Sequence, residues 1–162
     1  MAIETATLAG GCFWGMEDIL RKVPGVLETE VGYTGGQTPN PTYKMMTTGQ
    51  TGHAETIQIK FDNSVISFGD LLEKYFFRMH NPTTPNQQGN DIGSQYRSAI
   101  FFHSDQQKQT ALEVKARVEQ SGLWQKPIVT EVVPAVTFYT AEDYHQDYLE
   151  KNPGGYTCHY MR

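Results

Sequence analysis

The chain has 162 residues, enough for one domain that buries its own hydrophobic core without disulfide support. Apolar residues make up 38% and charged residues 19% of the sequence, which excludes a wholly disordered chain, a collagen and a coiled coil. Lys and Arg number 13 against 18 Asp and Glu, a net charge of -5. This charge argues against a nucleic-acid binder, because phosphate contacts need clustered basic side chains.

The first half of the chain predicts three strands, one helix and a long loop. The helix has apolar residues at i, i+3, i+4 and i+7, and Pro24-Gly25 terminates it. The third strand alternates Ile57, Ile59 and Phe61 with polar residues. In chain order, the predicted boundaries are strand 4–9, helix 13–22, strand 26–33, loop 35–52 and strand 53–61.

The second half predicts the strongest helix, a second long loop and four further elements. Ser67 and Asp70 form a capping box ahead of that helix. Its buried stripe follows the helical period and consists of Phe68, Leu71, Leu72, Tyr75, Phe76 and Met79. The later predicted boundaries are loop 81–96, strand 97–103, helix 105–121, strand 128–139 and a final helix 141–151 capped by Thr140.

The order β-α-β-β-α-β predicts an α+β fold of the ferredoxin-like, split βαβ type, a two-layer sandwich with a coiled C-terminal tail. Its two long loops are expected to be functional, as such loops in compact domains often are. We expect 1–162 to be a single catalytic domain. Residues 152–162 are expected to be a mobile tail carrying Cys158, because the glycine-rich composition after residue 151 favours mobility.

The cysteine count and the N-terminal sequence indicate the compartment. Two cysteines, Cys12 and Cys158, are too few for a disulfide framework or a four-cysteine zinc site, and we expect no bound metal. No Lys or Arg precedes Arg21, and no apolar run approaches the roughly 20 residues that span a bilayer. We expect a cytoplasmic monomer with no membrane contact, although a processed export form would fit the same sequence.

Cys12 is a candidate nucleophile because it stands between a glycine turn and the start of the first helix. Backbone N–H groups and the helix dipole stabilise a thiolate there, so its pKa is expected below ~8.5. Gly10 and Gly11 allow another group to approach the backbone closely. Phe13 and Trp14 follow, and at least one is expected to line a pocket beside the sulfur. A buried structural cysteine among core aromatics would fit the same residues.

Glu55 is a candidate acid because it has the parity of the buried residues in its strand, which directs its carboxyl to the core-facing side. Burial raises a carboxyl pKa, and a neutral carboxylic acid near pH 7 can donate a proton. His53 shares this parity, and a later strand start would leave both in solvent. Tyr43 and Tyr96, one in each long loop, have hydroxyls that either pack or donate hydrogen bonds into a pocket.

Gly11-Cys12-Phe13-Trp14-Gly15 closely resembles the signature of the peptide methionine sulfoxide reductase A family. The resemblance extends over most of the chain through blocks at 31–36, 40–43, 51–55, 80–83, 88–100 and 141–146. Two departures stand out. Gln87 occupies a position where many relatives carry Arg, and Cys158 is the only candidate recycling cysteine where many relatives carry two.

The resemblance implies reduction of methionine-S-sulfoxide, free or in a protein, with no bound cofactor and with thioredoxin, or dithiothreitol in vitro, as reductant. It assigns the nucleophile to Cys12, the acid to Glu55, oxygen-binding hydroxyls to Tyr43 and Tyr96, and a supporting carboxylate to Asp91. The methyl-binding aromatics would be Phe13 and Trp14. Oxygen transfer would leave a sulfenic acid on the nucleophile, which Cys158 on the tail is expected to resolve as a disulfide.

Two other interpretations fit parts of the sequence. A Cys-His hydrolase or acyltransferase would use Cys12 with His53 and would have no need of Cys158. A non-enzymatic redox sensor would form a sulfenic acid with peroxide but would not turn over a sulfoxide. Dinucleotide-binding, P-loop, α/β-hydrolase and zincin motifs are absent from the sequence.

Overall fold

A computed structural model describes residues 2–157 and 159–162. Its main sheet contains six strands, and a two-stranded hairpin lies apart from it. The strands are β1 (Ile3–Gly10), β2 (Val26–Thr34), β3 (Ala54–Asp62), β4 (Gln87–Gln88), β5 (Asp91–Ile92), β6 (Ser98–Phe102), β7 (Glu131–Pro134) and β8 (Tyr139–Thr140).

The helices are mostly short. They are α1 (Phe13–Leu20), α2 (Tyr43–Met46), α3 (Phe68–Asp70), α4 (Phe77–Met79), α5 (Asp105–Gln120) and α6 (Tyr148–Lys151). A π-helical stretch, Leu71–Phe76, joins α3 to α4, and 3₁₀ turns cover Ser94–Tyr96 and Asp143–His145. Within the described part of the chain, none of these helices has the length and apolar character needed to cross a membrane.

The main sheet has the order β7-β6-β1-β3-β2-β8. Every pair of neighbours is antiparallel except β6 and β7, which are parallel. The mixed sheet and its helices confirm the predicted α+β class. The register places Ala6 opposite Ile59 and Leu8 opposite Ile57, and all four are buried, so one face of β1 and β3 belongs to the core.

The core lies between that face and the helices α1, α3–α4 and α5. Met16 and Leu20 from α1 and Val114 from α5 belong to the same buried cluster as the strand residues. The opposite face of the sheet carries a small cluster of Ala9, Ala54, Ala99 and Phe101. Small side chains on that second face leave room for the chain to cross it.

The predicted strand 128–139 is wrong, because the structure divides it into β7 and β8 at opposite edges of the sheet. The five Cα–Cα steps from Pro134 to Tyr139 span at most ~18 Å, whereas the edge strands of a flat six-stranded sheet would be ~24 Å apart. The sheet must therefore be strongly curled. The crossing segment is held by Ala135 N–H donating to Phe102 O at 2.9 Å and by the Thr34 hydroxyl donating to Thr137 O at 2.6 Å.

The predicted final helix 141–151 capped by Thr140 is also wrong. Thr140 belongs to β8, and its hydroxyl donates to the Glu30 carboxylate. Gln146 uses its side-chain amide to bond both backbone groups of Val31, each at 2.9 Å, at the edge of β2. Asp147 is in the left-handed region with φ 54°, so only a 3₁₀ turn and the short α6 remain helical.

The predicted helix after residue 66 is confirmed, with one change of register. The Ser67 hydroxyl accepts a hydrogen bond from Asp70 N–H at 3.0 Å, as an N-cap should. The π-helical stretch inserts wider turns, which shift the buried face along the helix. Phe77 is consequently buried beside Phe76, although it lies outside the predicted stripe.

We expect Ser67→Ala to lower the free energy of unfolding by about 1 kcal/mol, because it removes this N-cap. Ser67→Asp, which restores an acceptor at the cap, is the matched control and should unfold close to the wild type. Urea denaturation followed by circular dichroism measures both. Equal stability of Ser67→Ala and the wild type would contradict the role of the cap.

Candidate active site

Cys12 lies at the junction of β1 and α1, where it is the N-cap residue of the helix. Cys12 is only 7% exposed to solvent. The first helical N–H, that of Phe13, donates to Glu55 Oε1 at 3.2 Å. The helix therefore begins against the carboxyl group of β3, and Glu55 is connected to the residue that directly follows Cys12.

The two glycines before Cys12 allow the close approach that the sequence predicted, and the structure identifies the groups that approach. A Cβ on Gly10 would lie 3.0 Å from the His80 ring, and one on Gly11 would lie 2.6 Å from Gln88 Cγ. Gly11 also has φ +98°, which a side chain would strain. The turn that presents Cys12 therefore requires glycine at position 11, and at position 10 a side chain would press on the His80 ring.

His80 supports this turn from inside the core. Its Nδ1–H donates to Phe76 O at 2.7 Å, which leaves Nε2 to accept from the Ser98 hydroxyl at 2.8 Å. The Ser98 hydroxyl is also 2.7 Å from Thr130 Oγ1. Burial lowers the pKa of His80 to about 3, so the ring is neutral and structural. No role was predicted for His80, because only tertiary packing places it behind Gly10.

Glu55 is buried in β3, opposite Tyr33 of β2, at 2% exposure. Burial is the main reason that the pKa of its carboxyl is raised to about 8; the negative charge of Asp91 acts in the same direction, and the hydrogen bond from the Phe13 N–H opposes both. The carboxyl is therefore largely neutral at pH 7. The core-facing position inferred from parity is the one observed.

Tyr43, in α2, and Tyr96, in the 3₁₀ turn before β6, lie in the same electrostatic environment as Glu55. Burial raises the pKa of Tyr43 to about 12 and that of Tyr96 well above its ordinary value. The negative charges of Glu55, Cys12 and Asp91 act in the same direction on both phenols, so both phenols lie within electrostatic range of these three groups. Both phenols keep their protons at pH 7 and can donate hydrogen bonds.

The two aromatics that follow Cys12 have different environments. Phe13 is fully buried, with its ring centroid 5.7 Å from that of Tyr33. Trp14 is partly exposed and stacks on Tyr148 with 3.9 Å between centroids. Trp14 therefore offers the accessible aromatic surface, and Phe13 packs behind it.

The orientation of Trp14 is fixed by His145, a residue to which the sequence assigned no role. The indole Nε1–H, which can only donate, bonds His145 Nδ1 at 2.9 Å. The neutral His145 ring must then carry its proton on Nε2. That nitrogen is buried without a hydrogen-bond partner among the residues that the structure describes.

Glu142 is another residue without a predicted role, although it belongs to the family-like block 141–146. It accepts hydrogen bonds from the Tyr33 hydroxyl at 2.8 Å and from Tyr43 N–H at 2.9 Å. Burial alone would raise the pKa of Glu142, but these hydrogen bonds keep it below its ordinary value. Its carboxylate thereby fixes the start of α2 and with it the position of Tyr43.

His53 is buried but has a structural environment. Gly36 N–H donates to its Nδ1 at 2.9 Å, and its Nε2–H donates to Thr38 O at 2.6 Å. Both ring nitrogens therefore hold the loop 35–52 in place. This disfavours the Cys-His hydrolase interpretation, which needs one of those nitrogens to accept a proton from Cys12.

Asp91 and Gln87 lie in the β4–β5 hairpin. Asp91 is opposite Gln88, whose amide bonds both backbone groups of Asn81, at 2.6 Å and 2.8 Å. Gln87, the departure from the family pattern, donates to Gly89 O at 3.0 Å within the same hairpin. The hairpin thus brings Asp91 to the turn beside Cys12, while the Gln87 amide stays in local contact.

Two further predictions concern a bound metal ion and the resolving cysteine. Among the described residues, no set of three or more His, Cys, Asp and Glu side chains is arranged to hold a metal ion. Cys158, predicted to be the resolving thiol, lies outside the described residues.

The family model described as "Peptide methionine sulfoxide reductase" matches residues 4–162. The chain belongs to this family. Peptide methionine sulfoxide reductase MsrA 1 of Mesorhizobium japonicum is 57% identical over 159 residues, which cover 98% of this chain and 90% of that protein. This member of the family is accordingly an oxidoreductase.

Solved structures of the family match the fold as well. Reduced Mxr1 from Saccharomyces cerevisiae superposes with a TM-score of 0.92 at 40% identity, over 99% of this chain and 92% of that one. Mxr1 in complex with Trx2 superposes with a TM-score of 0.67 at 27% identity, over 99% and 90% of the two chains.

The buried Glu55 carboxyl makes the stability of this reductase depend on pH. Its folded-state pKa of about 8 exceeds the ordinary 4.5, so the folded state binds the proton more tightly and stability falls as pH rises between these values. Glu55→Gln lacks this titration. The wild type should therefore lose a few kcal/mol of unfolding free energy relative to Glu55→Gln as the pH rises from 5 to 8.

Urea denaturation of both proteins across this pH range measures the difference. Glu113→Gln, at an exposed position of α5, is the matched control and should change with pH as the wild type does. A difference between Glu55→Gln and the wild type that stays constant from pH 5 to 8 would show that the pKa of Glu55 is not raised.

Proposed function

We propose that this protein reduces methionine-S-sulfoxide, free or in a protein, to methionine through a sulfenic acid on Cys12. Cys158 then resolves the sulfenic acid as a Cys12–Cys158 disulfide, which thioredoxin, or dithiothreitol in vitro, reduces. One observation carries the proposal above all. The neutral, buried carboxyl of Glu55 is hydrogen-bonded to the N–H of Phe13, directly after the nucleophile.

The proton supplied by Glu55 completes the oxygen transfer. The sulfoxide sulfur loses its oxygen and gains two electrons, while the Cys12 thiolate gains the oxygen and, with one proton, becomes a sulfenic acid. Glu55 retains that proton up to about pH 8 and can deliver it to the departing oxygen. Methionine is released with its thioether restored.

Tyr43 and Tyr96 stabilise the charge that develops on the sulfoxide oxygen. Their hydroxyls are protonated at pH 7 and share the environment of Glu55 and Cys12. Fixed donors in a buried site act strongly because they need no reorganisation during the reaction. Asp91 supports the same centre by keeping Glu55 protonated.

The partly exposed ring of Trp14 would bind the S-methyl group, with Phe13 packed behind it. His145 and Tyr148 hold the indole in a single orientation, at 2.9 Å and by stacking at 3.9 Å. A preset apolar surface of this kind excludes water and binds a thioether side chain without a charged contact.

The sulfenic acid is cleared by a thiol. Cys12–SOH and the Cys158 thiol condense to a disulfide with loss of water, and a dithiol reductant opens that disulfide by exchange. Thioredoxin is proposed as that reductant because Mxr1, similar over nearly the whole chain, forms a complex with Trx2.

The remaining organisation is proposed on the same basis. Residues 1–162 form one catalytic domain, a cytoplasmic monomer without a bound cofactor, and the tail 152–162 brings Cys158 into the reaction. The central strand order β6-β1-β3-β2, antiparallel throughout, supports a ferredoxin-like split βαβ core.

Replacing the two cysteines separately tests their roles. Cys12→Ser should release no methionine in a single turnover, because no thiolate remains to accept the oxygen. Cys158→Ser should release one equivalent of methionine but should not cycle with thioredoxin. Methionine is measured chromatographically after incubation with a methionine-S-sulfoxide peptide. Single-turnover reduction by Cys12→Ser, or full thioredoxin cycling by Cys158→Ser, would refute the corresponding role.

Glu55→Gln should slow single-turnover methionine formation by about 100-fold or more, the usual contribution of a general acid. The wild-type rate should also decline above about pH 8 as Glu55 ionises, and the variant should lack this decline. Rapid-quench measurements from pH 6 to 10 follow both effects. An unchanged rate, or an alkaline decline that persists in Glu55→Gln, would exclude Glu55 as the acid.

A further inference from the structure

His159, one residue after Cys158, is docked on the turn that carries Cys12. Its side chain is buried, and its Nε2 is 2.7 Å from the carbonyl oxygen of Gly10. Since a carbonyl only accepts, Nε2–H is the donor. Burial lowers the pKa of His159 to about 4, so the ring is neutral at pH 7 and holds this tautomer.

The tail makes a second contact at Gly15, which follows Cys12 in the sequence as Gly10 precedes it. A Cβ on Gly15 would be 2.9 Å from His159 Cγ and would overlap both His159 Nδ1 and Thr157 Oγ1. Gly15 is three residues after Cys12, so the two positions lie on the same face of the start of α1. The glycine thus leaves the space that the two chain neighbours of Cys158 occupy.

The end of the tail is held as well. Arg162 N–H donates to Arg78 O at 3.0 Å, and Arg78 Nη1 donates to Arg162 O at 3.2 Å. The guanidinium of Arg162 also lies over the Tyr160 ring, 4.0 Å from its centroid. The chain is therefore fixed to the domain on the C-terminal side of Cys158, at His159 and again at Arg162.

We propose that His159 is a positioning residue for disulfide formation, which holds Cys158 within reach of the Cys12 sulfenic acid by docking on Gly10 and in the space above Gly15. The inference rests on the proposed function, because it needs a sulfenic acid on Cys12 and a resolving thiol on Cys158. Docking raises the effective concentration of that thiol, which a freely moving tail would dilute.

His159 is not a reactant in the condensation of the Cys12 sulfenic acid with the Cys158 thiol. The Cys158 thiol attacks the sulfur of Cys12–SOH, an S–S bond forms and the S–O bond breaks, and the hydroxyl leaves as water with the proton lost by the Cys158 thiol. His159 acts through the placement of its covalent neighbour, so its loss should slow this step alone and leave the earlier oxygen transfer unaffected.

His159→Ala and Gly15→Ala disturb the contact from its two sides. The first removes the donor to Gly10 O, and the second fills the space occupied by the imidazole. Gly15 is inside α1 without a positive φ, and Ala favours helix more than Gly, so Gly15→Ala should not weaken the helix itself. His159→Gln retains an N–H donor at similar reach and should rescue most of the rate.

Two glycine substitutions serve as matched controls. Gly154→Ala adds a Cβ to the tail where no atom lies within 4 Å, and Gly69→Ala adds one to α3, where the nearest atom, Thr110 Cγ2, is at an ordinary 3.4 Å. Both change glycine to alanine without touching His159, and both should behave as the wild type.

The experiment follows two events in one turnover of the full chain with a methionine-S-sulfoxide peptide. Rapid quench gives the rate of methionine release, and mass spectrometry gives the rates of disulfide formation and of sulfenic acid trapping by a 1,3-diketone. His159→Ala and Gly15→Ala should release methionine at the wild-type rate. They should form the disulfide about tenfold more slowly and accumulate trappable sulfenic acid.

The inference is overturned if both variants form the disulfide at the wild-type rate. It is also overturned if methionine release slows by the same factor, since His159 would then act on Cys12 itself. Failure of the proposed function has a different signature, because the wild type would then release no methionine at all. Rescue by His159→Gln separates the hydrogen bond from a purely steric contribution of the ring.

Discussion

The arrangement of this site depends on the burial of one carboxyl group at the start of one helix. Glu55 lies near the start of the inner strand β3 and accepts the first N–H of α1 at 3.2 Å, so this contact joins the strand to the helix that begins directly after Cys12. Because the carboxyl is buried, its pKa rises to about 8. The Phe13 contact therefore fixes the geometry of the site, while burial, against the opposing effect of that hydrogen bond, keeps the carboxyl protonated.

The sequence predicted the residues whose roles follow from local periodicity. The parity of Ile57, Ile59 and Phe61 placed Glu55 in the core correctly, because β3 extends back to Ala54. The glycine turn before Cys12 predicted a close approach to the backbone but not the groups that make it. His80 and Gln88 are brought there by tertiary packing, for which the local sequence carries no signal.

The failures of the prediction come from places where side chains replace regular backbone pairing. A single strand was predicted over 128–139, yet curling of the sheet lets the segment from Pro134 to Tyr139 reach the opposite edge. Gln146 pairs with the backbone of Val31 as a strand would, which ends the helix predicted there. Such contacts join residues more than 100 positions apart, beyond any local pattern.

The hydrogen-bond donors around Glu55 are phenols and amides rather than cations. The proposed proton transfer from Glu55 depends on this absence of positive charge. A lysine or a protonated histidine beside the carboxyl would lower its pKa and remove the proton that the proposed mechanism needs. The histidines at this centre are instead kept neutral: burial lowers the pKa of His80, His145 and His159. Tyr43 and Tyr96 donate hydrogen bonds without adding positive charge, so oxygen stabilisation and a protonated acid can coexist in one buried site.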